Sequence, residues 1–384
     1  MSEPTAFAVT HPGLETILAA ELSAIGAVPQ APTPGGVEFP FTPELLARAN
    51  LCLRTAGRIL VRVAEFHART FAELERHLLR ISWDRWLPAG APAHVRVTTK
   101  KSKLYHERAL VERFAMAITA RCPKTSILAA RGEAEAESHD PDSTLQRFVV
   151  RVFRDQVTVS VDTSGALLHR RGYRVDQAKA PLRETLAAGL VLGSGWSGAT
   201  PLVDPMCGSG TIPIEAALLA RRIPPGWRRT FAFERWPEMR DGSMARVRAE
   251  LEERILPRAP APIVGTDRDD GAIAAAVVNA ERAGVAGDIE FRRAPISALV
   301  PPPGPGVLIV NPPYGGRIGD AGNLRDLYAQ LGNVARRVAG GWDLVMIGAD
   351  RALERQVGLA WRELLRTENG GIPIRFLAAS VPTP

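Results

Sequence analysis

Long apolar runs are missing from this sequence. The chain has 384 residues, and no stretch approaches the ~18 consecutive uncharged apolar residues of a membrane span. Its first residues, MSEPTAFAVTHPGLE, lack the basic segment and apolar core that mark a secretory signal. The sequence therefore favours a cytoplasmic protein with no membrane partner.

Cysteine is scarce. Cys52, Cys122 and Cys207 are too few and too far apart for a disulfide framework or a zinc site, and the seven histidines show no metal-ligand spacing. We therefore expect a reducing compartment and no metal. Apolar residues make up 46% and charged residues 23%, which excludes a fibrous or mostly disordered chain. The length allows two domains or three small ones, and the oligomeric state stays open.

Lysine is rare and clustered. Only five lysines accompany 43 arginines, and three of them, Lys100, Lys101 and Lys103, lie within four positions. Residues 94–131 hold nine basic side chains against two acidic ones, an excess equal to the net charge of +7 of the whole chain. Such a patch is the electrostatic footprint of a protein that binds a phosphate backbone. An exposed charged face without a ligand is the alternative interpretation.

The first 165 residues alternate between short strands and helices without a glycine-rich phosphate loop. Strands are predicted at 6–10, 35–39, 58–66, 94–99, 148–153 and 156–162, and helices at 12–25, 43–50, 71–80 and 106–121. This pattern is typical of an α+β module built for binding rather than chemistry.

From residue 200 the pattern changes to strand–loop–helix units. Strands are predicted at 201–203, 263–265, 289–292, 307–310 and 344–347, helices at 212–220 and from 267 to about 284, and a closing hairpin at 364–367 and 373–379. Alternating strands and helices predict a doubly wound, mostly parallel α/β sheet with ligands at the carboxyl ends of its strands. Residues 222–262 give no clear assignment.

Two motifs in this half point to a cofactor. The segment Asp204–Gly210 follows a strand and opens a helix, and its glycines let a ligand approach the backbone amides. The spacing is not that of a dehydrogenase, because Pro213 stands where the third glycine of that fingerprint belongs. Asp267 ends the next strand, where a carboxylate can accept both hydroxyls of an adenosine ribose. Either motif alone is compatible with a structural turn, but in this order they predict an adenosine-containing cofactor.

The sharpest motif is Asn311-Pro312-Pro313-Tyr314 at the end of a four-residue apolar strand. The Asn311 side chain and the Pro312 carbonyl supply two acceptors for the hydrogens of an exocyclic base amine. Accepting both hydrogens localises the nitrogen lone pair and stabilises the charge that develops as the amine attacks a methyl group. Tyr314 can stack on a flipped base. The alternative is a rigid proline turn with a core tyrosine.

Together these residues resemble a known family. The runs DPMCGSGTIPIEAA, GTDRD and NPPYG resemble class I S-adenosylmethionine-dependent amino-methyltransferases. HRRGYR (169–174), APLRETLAA and FAFERWP narrow the likeness to the THUMP-domain RNA guanine-N2 methyltransferases, which act on tRNA or 23S rRNA. The resemblance covers nearly the whole chain, the second half more strongly. It implies methyl transfer from S-adenosylmethionine to guanine N2, with no covalent enzyme intermediate and no metal.

The resemblance also implies residue roles. Gly208 and Gly210 would flank the methionine end of the cofactor and Asp267 would hold its ribose, while Asn311, Pro312 and Tyr314 hold the base. The predicted cofactor-binding residues are Asp204, Met206, Cys207, Gly208, Ser209, Gly210, Asp267, Arg268 and Asn311. The predicted RNA contacts are Lys100, Lys101, Lys103, Arg108, Arg170 and Arg171, although the two connector arginines fit a solvated linker equally well. The family often has an Asp after the third strand, where this chain reads Phe291–Pro295, so no adenine contact is predicted.

The expected fold is a Rossmann-like doubly wound methyltransferase sheet with a terminal antiparallel hairpin, plus an N-terminal α+β module. The expected domains are a ferredoxin-like segment (1–57), a THUMP RNA-binding domain (58–165), a linker (166–180) and the methyltransferase domain (181–384). Adenine-N6 methylation of RNA or DNA, or a non-catalytic RNA-binding assembly protein, are the alternative functions. RNA C5-methyltransferases use a cysteine, but Asn-Pro-Pro-Tyr does not serve their chemistry, so Cys207 is interpreted as a small loop residue.

Overall fold

The structure is a computed structural model that describes residues 4–128, 144–174, 182–314 and 321–383. The chain divides into two compact units: residues 1–10, 18–168 and 228–252 form the first, and residues 11–17, 169–227 and 253–384 form the second. Two sequence-based expectations lie outside the described residues, namely Arg131 of the basic stretch and positions 175–180 of the linker.

The first unit is built on a seven-stranded mixed sheet. In chain order its strands are β1 (Thr5–Thr10), β2 (Gly36–Pro40), β3 (Ala56–His67), β4 (Ala93–Lys100), β5 (Ile127–Leu128), β6 (Gln146–Phe153) and β7 (Gln156–Asp162). Their order across the sheet is β2-β1-β3-β7-β6-β4-β5. Strand β4 runs parallel to β5 and β6, whereas the other neighbours pair antiparallel. The helices of this part of the chain are α1 (Glu15–Ala24), α2 (Pro43–Cys52), α3 (Phe71–Leu78), α4 (Trp83–Trp86) and α5 (Glu107–Arg121).

The strands predicted at 148–153 and 156–162 form a hairpin, β6 and β7. Phe153 pairs with Gln156 across a two-residue turn, and both turn residues, Arg154 and Asp155, have positive φ angles of 52° and 64°. A two-residue turn with this geometry matches the right-handed twist of the strands it joins. An aromatic core supports the sheet, since Trp83 meets Phe148 edge-on with ring centroids 5.3 Å apart.

Residues 228–252, which the sequence left unassigned, pack in the first unit. The indole nitrogen of Trp236 donates a 2.6 Å hydrogen bond to the buried Gln146 side chain, and its ring lies edge-on to Trp86 at 5.2 Å. The Phe233 N–H bonds to the carbonyl of Thr163. This segment, which includes FAFERWP, is therefore part of the first unit's core. The sequence-based boundaries at 57, 165 and 180 stay predictions.

The second unit contains a second seven-stranded sheet. Its strands are β8 (Leu202–Asp204), β9 (Ile263–Asp267), β10 (Ile289–Arg293), β11 (Val307–Val310), β12 (Asp343–Gly348), β13 (Arg362–Asn369) and β14 (Ile372–Ser380), in the spatial order β10-β9-β8-β11-β12-β14-β13. Its helices are α6 (Glu184–Gly193), α7 (Thr211–Ala220), α9 (Asp270–Ala283), α10 (Ala321–Val338) and α11 (Arg351–Gln356), whereas α8 (Ser243–Glu253) lies almost entirely in the first unit. Strands β8 to β12 are parallel, and β14 and β13 pair antiparallel, which confirms the predicted fold class. Within the described ranges, no helix combines the length and the apolar character needed to cross a membrane.

The sheet topology brings the predicted motifs to one edge. Strand β8 lies between β9 and β11, so the chain crosses over at the centre of the sheet and opens a crevice at the carboxyl ends of these strands. Asp204 and Asp267 end β8 and β9, and Asn311 directly follows β11. Gly348, the last residue of β12, pairs with Arg375 near the start of the antiparallel β14. The β13–β14 turn at Gly370 therefore lies at the same edge.

Candidate active site

A cavity of about 800 Å³ lies at this edge, within the range of roughly 300–1,000 Å³ that is usual for ligand pockets. Its lining comes from the loops after β8, β9, β10 and β11, from α10, from the start of α6 and from the terminal hairpin. The lining residues are Arg183, Pro205, Met206, Asp267, Arg268, Pro295, Ile296, Asn311, Pro312, Pro313, Tyr314, Leu327, Gln330, Asn369, Gly370 and Ile372.

The glycine loop is held by its neighbours. Gly208 and Gly210 have φ angles of 50° and 83°, in the left-handed region where a side chain is strained. A Cβ at Gly210 would also lie 3.0 Å from Ala276 and 3.1 Å from the ring of Phe291. The side chain of Asn279 on α9 donates a 3.0 Å hydrogen bond to the carbonyl of Ser209, a contact that the sequence did not reveal. The loop conformation therefore requires glycine at position 210.

Asp267 braces this loop with both carboxylate oxygens. Its Oδ2 accepts the Gly208 N–H and its Oδ1 accepts the Asp269 N–H, each at 3.0 Å. A carboxylate offers about four lone-pair sites, so each oxygen still has room for a hydroxyl donor. Because Asp267 also lines the cavity, it fits the ribose diol of an adenosine cofactor.

Asp204 has a different environment from Asp267. Its side chain is buried, accepts the Met206 N–H at 3.1 Å and does not line the cavity. Burial, reinforced by the charge of Asp267 and opposed by the Met206 hydrogen bond, raises the pKa of Asp204 to about 8. Its contact with Met206 makes it a support for the loop rather than part of the cavity wall.

Cys207 is buried beneath the same loop. Burial, followed by the charges of Asp204 and Asp267, raises the pKa of its thiol well above the usual range. A thiolate is the nucleophilic form of cysteine, and this environment disfavours it. The thiol is therefore poorly suited to covalent catalysis, in keeping with its interpretation as a small loop residue.

The side-chain oxygen of Asn311 is a hydrogen-bond acceptor that receives no donor from the described residues. Asn311 lines the cavity, and its Oδ1 is buried and accepts no hydrogen bond from any part of the chain that the structure describes. A buried polar atom without a partner is costly, and a ligand in the cavity can supply the missing hydrogen-bond donor. The oxygen and nitrogen of an amide exchange places by a 180° rotation, so the same side chain can aim its oxygen at an amine in the cavity.

The rest of the Asn-Pro-Pro-Tyr loop is held from two sides. Tyr328 on α10 donates a 3.3 Å hydrogen bond to the carbonyl of Pro313, and Asn369 at the end of β13 donates a 2.9 Å hydrogen bond to the hydroxyl of Tyr314. Tyr314 is half-buried and lines the cavity together with Pro312. The loop thus holds an aromatic ring at the wall of the cavity that Asn311 also lines.

The structure gathers only part of the predicted cofactor set in the cavity. The predicted residues that line it are Met206, Asp267, Arg268 and Asn311. Cys207, Gly208, Ser209 and Gly210 form the loop behind it and are not part of the lining. Where the sequence predicted no adenine contact, Pro295 and Ile296 supply an apolar stretch of wall.

Three polar lining residues were not predicted from the sequence. Arg183 lies in the APLRETLAA run, Asn369 in the Asn-Gly-Gly turn and Gln330 on α10. The motifs that contain Arg183 and Asn369 were visible in the sequence, but neither motif shows by itself that it faces the crevice. Within the described ranges, no group of His, Cys, Asp and Glu side chains has the arrangement of a metal site.

The predicted RNA contacts in the first unit are exposed. Lys100, Lys101, Lys103 and Arg108 all lie on the surface. The lysine loop has a fixed shape, because the Lys103 N–H donates a 2.7 Å hydrogen bond to Asp155 in the β6–β7 turn. The lysine charges are therefore presented on an ordered loop.

Arg171 does not fit its predicted role. Its side chain is 2% exposed and pairs at 3.5 Å with Glu215 on α7, a carboxylate that is fully buried and also accepts the hydroxyl of Tyr173 at 3.1 Å. A side chain buried in this way cannot reach a phosphate backbone, so the prediction that Arg171 contacts RNA is wrong. Arg170, by contrast, is exposed.

Arg174, the last residue of the HRRGYR segment, also contacts the protein interior. It donates to Glu184 at 2.9 Å, to the carbonyl of Leu182 at 2.9 Å and to the hydroxyl of Thr211 at 3.1 Å. Thr211 directly follows the glycine loop. Arg171 and Arg174 therefore tie this segment to α7, to α6 and to the residue that follows the glycine loop, while Arg170 stays exposed.

Comparisons with known proteins agree with this architecture. Residues 171–375 match the family model described as the RMKL-like methyltransferase domain, and residues 5–60 match that of the RlmL ferredoxin-like domain. A Synechocystis protein provisionally named RNA methyltransferase slr0064 is 33% identical over 374 residues, 97% of this chain and 95% of that protein. Ribosomal RNA large subunit methyltransferase K/L of Syntrophotalea carbinolica is 36% identical over 394 residues, 98% of this chain. This chain spans 54% of that relative.

Two solved structures are similar over the whole of this chain. The crystal structure of SMU.472, provisionally named a methyltransferase and complexed with SAH, has a TM-score of 0.86 at 31% identity and covers 100% of both chains. A Listeria monocytogenes protein named a predicted N6-adenine-specific DNA methylase has a TM-score of 0.86 at 33% identity, covering 100% of this chain and 97% of that one.

Proposed function

Since this chain belongs to the RMKL-like methyltransferase family, we propose that it transfers a methyl group from S-adenosylmethionine to the N2 amine of a guanine in tRNA or 23S rRNA. The chain is an RNA methyltransferase that uses this cofactor. The guanine target, the class of RNA and the roles of individual residues are our proposal.

The observation that carries the proposal is the buried acceptor of Asn311 in a cavity that also contains Asp267. An exocyclic amine has its lone pair delocalised into the base, which makes it a poor nucleophile. Accepting its hydrogens at Asn311 and at the Pro312 carbonyl localises that lone pair and stabilises the positive charge of the transition state. The same bonds satisfy the Asn311 oxygen.

The cofactor supplies an activated methyl group. Asp267 would hold the ribose hydroxyls, Pro295 and Ile296 would flank the adenine, and Met206 and the Gly208 loop would meet the methionine end. The amine nitrogen forms its bond to the methyl carbon as the carbon–sulfur bond breaks, and one amine proton then passes to water. Proximity and orientation carry most of such a step.

Tyr314 would stack on the flipped guanine. Stacking of a base on an aromatic ring is worth about 1–3 kcal/mol, and flipping a base out of its helix costs a similar amount. The ring held by Asn369 would therefore offset the cost of extracting the base. The exposed patch of Lys100, Lys101, Lys103 and Arg108 would hold the RNA backbone, in the segment whose sequence resembles a THUMP domain.

Adenine-N6 methylation is the second candidate. Asn-Pro-Pro-Tyr suits either amine, and a similar solved structure is named for adenine methylation of DNA. The names of the RNA methyltransferase relatives favour RNA over DNA as the substrate.

The test is methyl incorporation from labelled cofactor into unmodified tRNA and 23S rRNA, followed by mass spectrometry of the digested nucleosides. We expect N2-methylguanosine with the wild type and a loss of about 100-fold or more in kcat with Asn311→Ala. Asn333→Ala, an exposed asparagine of the same unit, is the matched control and should retain activity.

Cofactor affinity, measured by calorimetry, shows whether an inactive variant has lost catalysis alone or has also lost its fold. The Asn311→Ala protein should bind the cofactor within a few-fold of the wild type, because Asp267 is unchanged. Methyladenosine as the product would overturn the guanine assignment. Absence of both cofactor binding and methylation would leave only a non-catalytic RNA-binding role.

A further inference from the structure

Arg183 lines the same cavity from a different element. It is the N-cap residue of α6, with extended φ and ψ angles of −64° and 142°, and its carbonyl accepts the N–H groups of Leu186 and Ala187 at 3.0 Å each. The position of its Cα is therefore fixed by the helix, while its side chain is half-buried at the cavity wall. The mechanism described above does not use it.

The guanidinium of Arg183 has no hydrogen bond or ion pair with any residue in the described parts of the chain. Its neighbours along the chain differ, because Arg171 pairs with Glu215 and Arg174 with Glu184. The guanidinium has five N–H donors on one planar group, so at the cavity wall it can bind the hydrogen-bond acceptors of a ligand.

The surroundings of Arg183 leave its charge available. Burial first and the Arg183 charge next lower the pKa of His169 to about 3, and they also lower the pKa of His11, with Glu368 acting in the opposite direction. Both imidazoles are therefore neutral at neutral pH, so neither adds a positive charge that would compete with Arg183 for an anion.

We infer that Arg183 recognises the target guanine by donating two hydrogen bonds to its O6 and N7 atoms. This inference rests on the proposed function. In guanine, the N2 amine and the O6–N7 edge lie on different sides of the ring system. A guanine whose N2 contacts Asn311 therefore presents O6 and N7 to another part of the cavity wall. Bidentate pairing of arginine with these two acceptors is the commonest specific contact to guanine.

The chemistry of Arg183 disfavours adenine. Arginine only donates hydrogen bonds, and adenine carries an N6 amine, itself a donor, where guanine carries O6. Gln330 and Asn369 cannot discriminate in this way, because an amide both donates and accepts. Arg268 lines the cavity as well, but it directly follows Asp267 and so lies at the proposed ribose end. Of the two arginines among the described lining residues, Arg183 is the one placed to determine specificity.

The experiment compares base analogues in the substrate RNA found by the methylation assay. The target guanosine is replaced by 2-aminopurine, which keeps the N2 amine and lacks O6, or by 7-deazaguanine, which lacks N7. For the wild type we expect kcat/KM to fall by about 10- to 100-fold with 2-aminopurine and by less with 7-deazaguanine. For Arg183→Gln we expect the guanine to 2-aminopurine ratio to shrink to within about threefold.

Two further variants test whether the effect is specific to position 183 and to the shape of the arginine side chain. Arg268→Gln removes the other arginine among the described residues that line the cavity and should keep the wild-type ratio, whatever it does to cofactor binding. Arg183→Lys keeps the charge but not the planar fork, and should give an intermediate ratio. Each ratio is measured within one protein preparation, so partial misfolding does not change it.

The outcomes separate this inference from the function on which it rests. If Arg183→Gln lowers turnover of guanine and 2-aminopurine equally, Arg183 does not read O6, although guanine-N2 methylation stands. If the wild type methylates adenine and not guanine, the proposed function fails before Arg183 is tested. A collapsed ratio in Arg183→Gln with a wild-type ratio in Arg268→Gln supports the inference.

Discussion

The side-chain amide of Asn369 donates a 2.9 Å hydrogen bond to the hydroxyl of Tyr314. This bond joins the turn of the terminal hairpin to the loop after β11, 55 positions away in the chain. The tyrosine ring is thus held at the cavity wall by the last two strands of the sheet. The hairpin therefore has a direct contact with the proposed base site.

We predict that Asn369→Ala raises KM for RNA by about 2- to 10-fold, because a neutral hydrogen bond contributes about 0.5–1.5 kcal/mol. Tyr314→Phe removes the same bond from the other side and should have a similar effect. The double variant should be no worse than either single one. Steady-state methylation kinetics would measure all three, and additive effects would show that the bond does not position the ring.

Tyr314→Ala removes the ring itself. Because stacking on a base is worth about 1–3 kcal/mol, this variant should impair RNA methylation more than Tyr314→Phe does. Cofactor affinity should stay near the wild-type value in both proteins. Equal activity of Tyr314→Ala and Tyr314→Phe would argue against stacking.

The buried pair of Arg171 and Glu215 gives a prediction about stability. Removing one partner of a buried ion pair costs about 3–5 kcal/mol, because the remaining charge has no compensation. Arg171→Ala should therefore lower the unfolding midpoint in urea strongly, whereas the exposed Arg170→Ala should not. An Arg171→Ala protein of wild-type stability with weakened RNA binding would instead restore the RNA-contact role.

The strand ends that form the site were predictable from the sequence. Asp204, Asp267 and Asn311 each follow a short apolar run, and parallel strands in a doubly wound sheet expose their carboxyl ends at one edge. The proposed cofactor motif and the proposed amine-binding motif could therefore be assigned to the same edge from the sequence alone.

Contacts that depend on tertiary pairing were not predictable. The Asn-Gly-Gly turn was recognised as a hairpin, but its place at the crevice follows from the pairing of β14 with β12. Helix α10, which supplies Tyr328 and Gln330, was not predicted at all. Arg171 was misassigned because a run of arginines does not reveal burial. A signal was available in Glu215, a lone acid in the apolar helix TIPIEAALLA that requires a buried partner.

The raised pKa of Asp204, about 8 against an ordinary value of 3.8, predicts how stability depends on pH. Between these values the folded state keeps a proton that the unfolded state releases, so stability should fall as pH rises from about 4 to 8. Asp204→Asn removes this titration while keeping an acceptor for the Met206 N–H. Urea unfolding at several pH values should show a shallower decline for Asp204→Asn than for the wild type.

The control for this experiment is Asp326→Asn, which removes an exposed carboxylate on α10 and should keep the wild-type slope. If the wild type and Asp204→Asn lose stability in parallel over this range, then Asp204 is ionised in the folded protein at neutral pH.

The lysine loop gives the last prediction, on how the RNA is held. Replacing Lys100, Lys101 and Lys103 by alanine removes three exposed charges from one ordered loop. The binding constant K falls as salt rises, and each lost phosphate contact reduces the steepness of the plot of log K against log salt by about 0.7–0.9. The triple variant should therefore bind substrate RNA more weakly at low salt, with a slope smaller by about 2. Cofactor affinity should not change, since the lysines do not line the cavity.

The matched control removes three exposed arginines of the second unit, Arg325, Arg351 and Arg362, and so lowers the net charge of the chain by the same amount. If binding depends only on overall charge, the two triple variants will weaken it equally and the patch has no particular role. If the lysine variant alone loses affinity and salt dependence, the contact is local. The clustering of three of the five lysines in this loop would then reflect a need for compact, strongly hydrated charges at positions 100, 101 and 103.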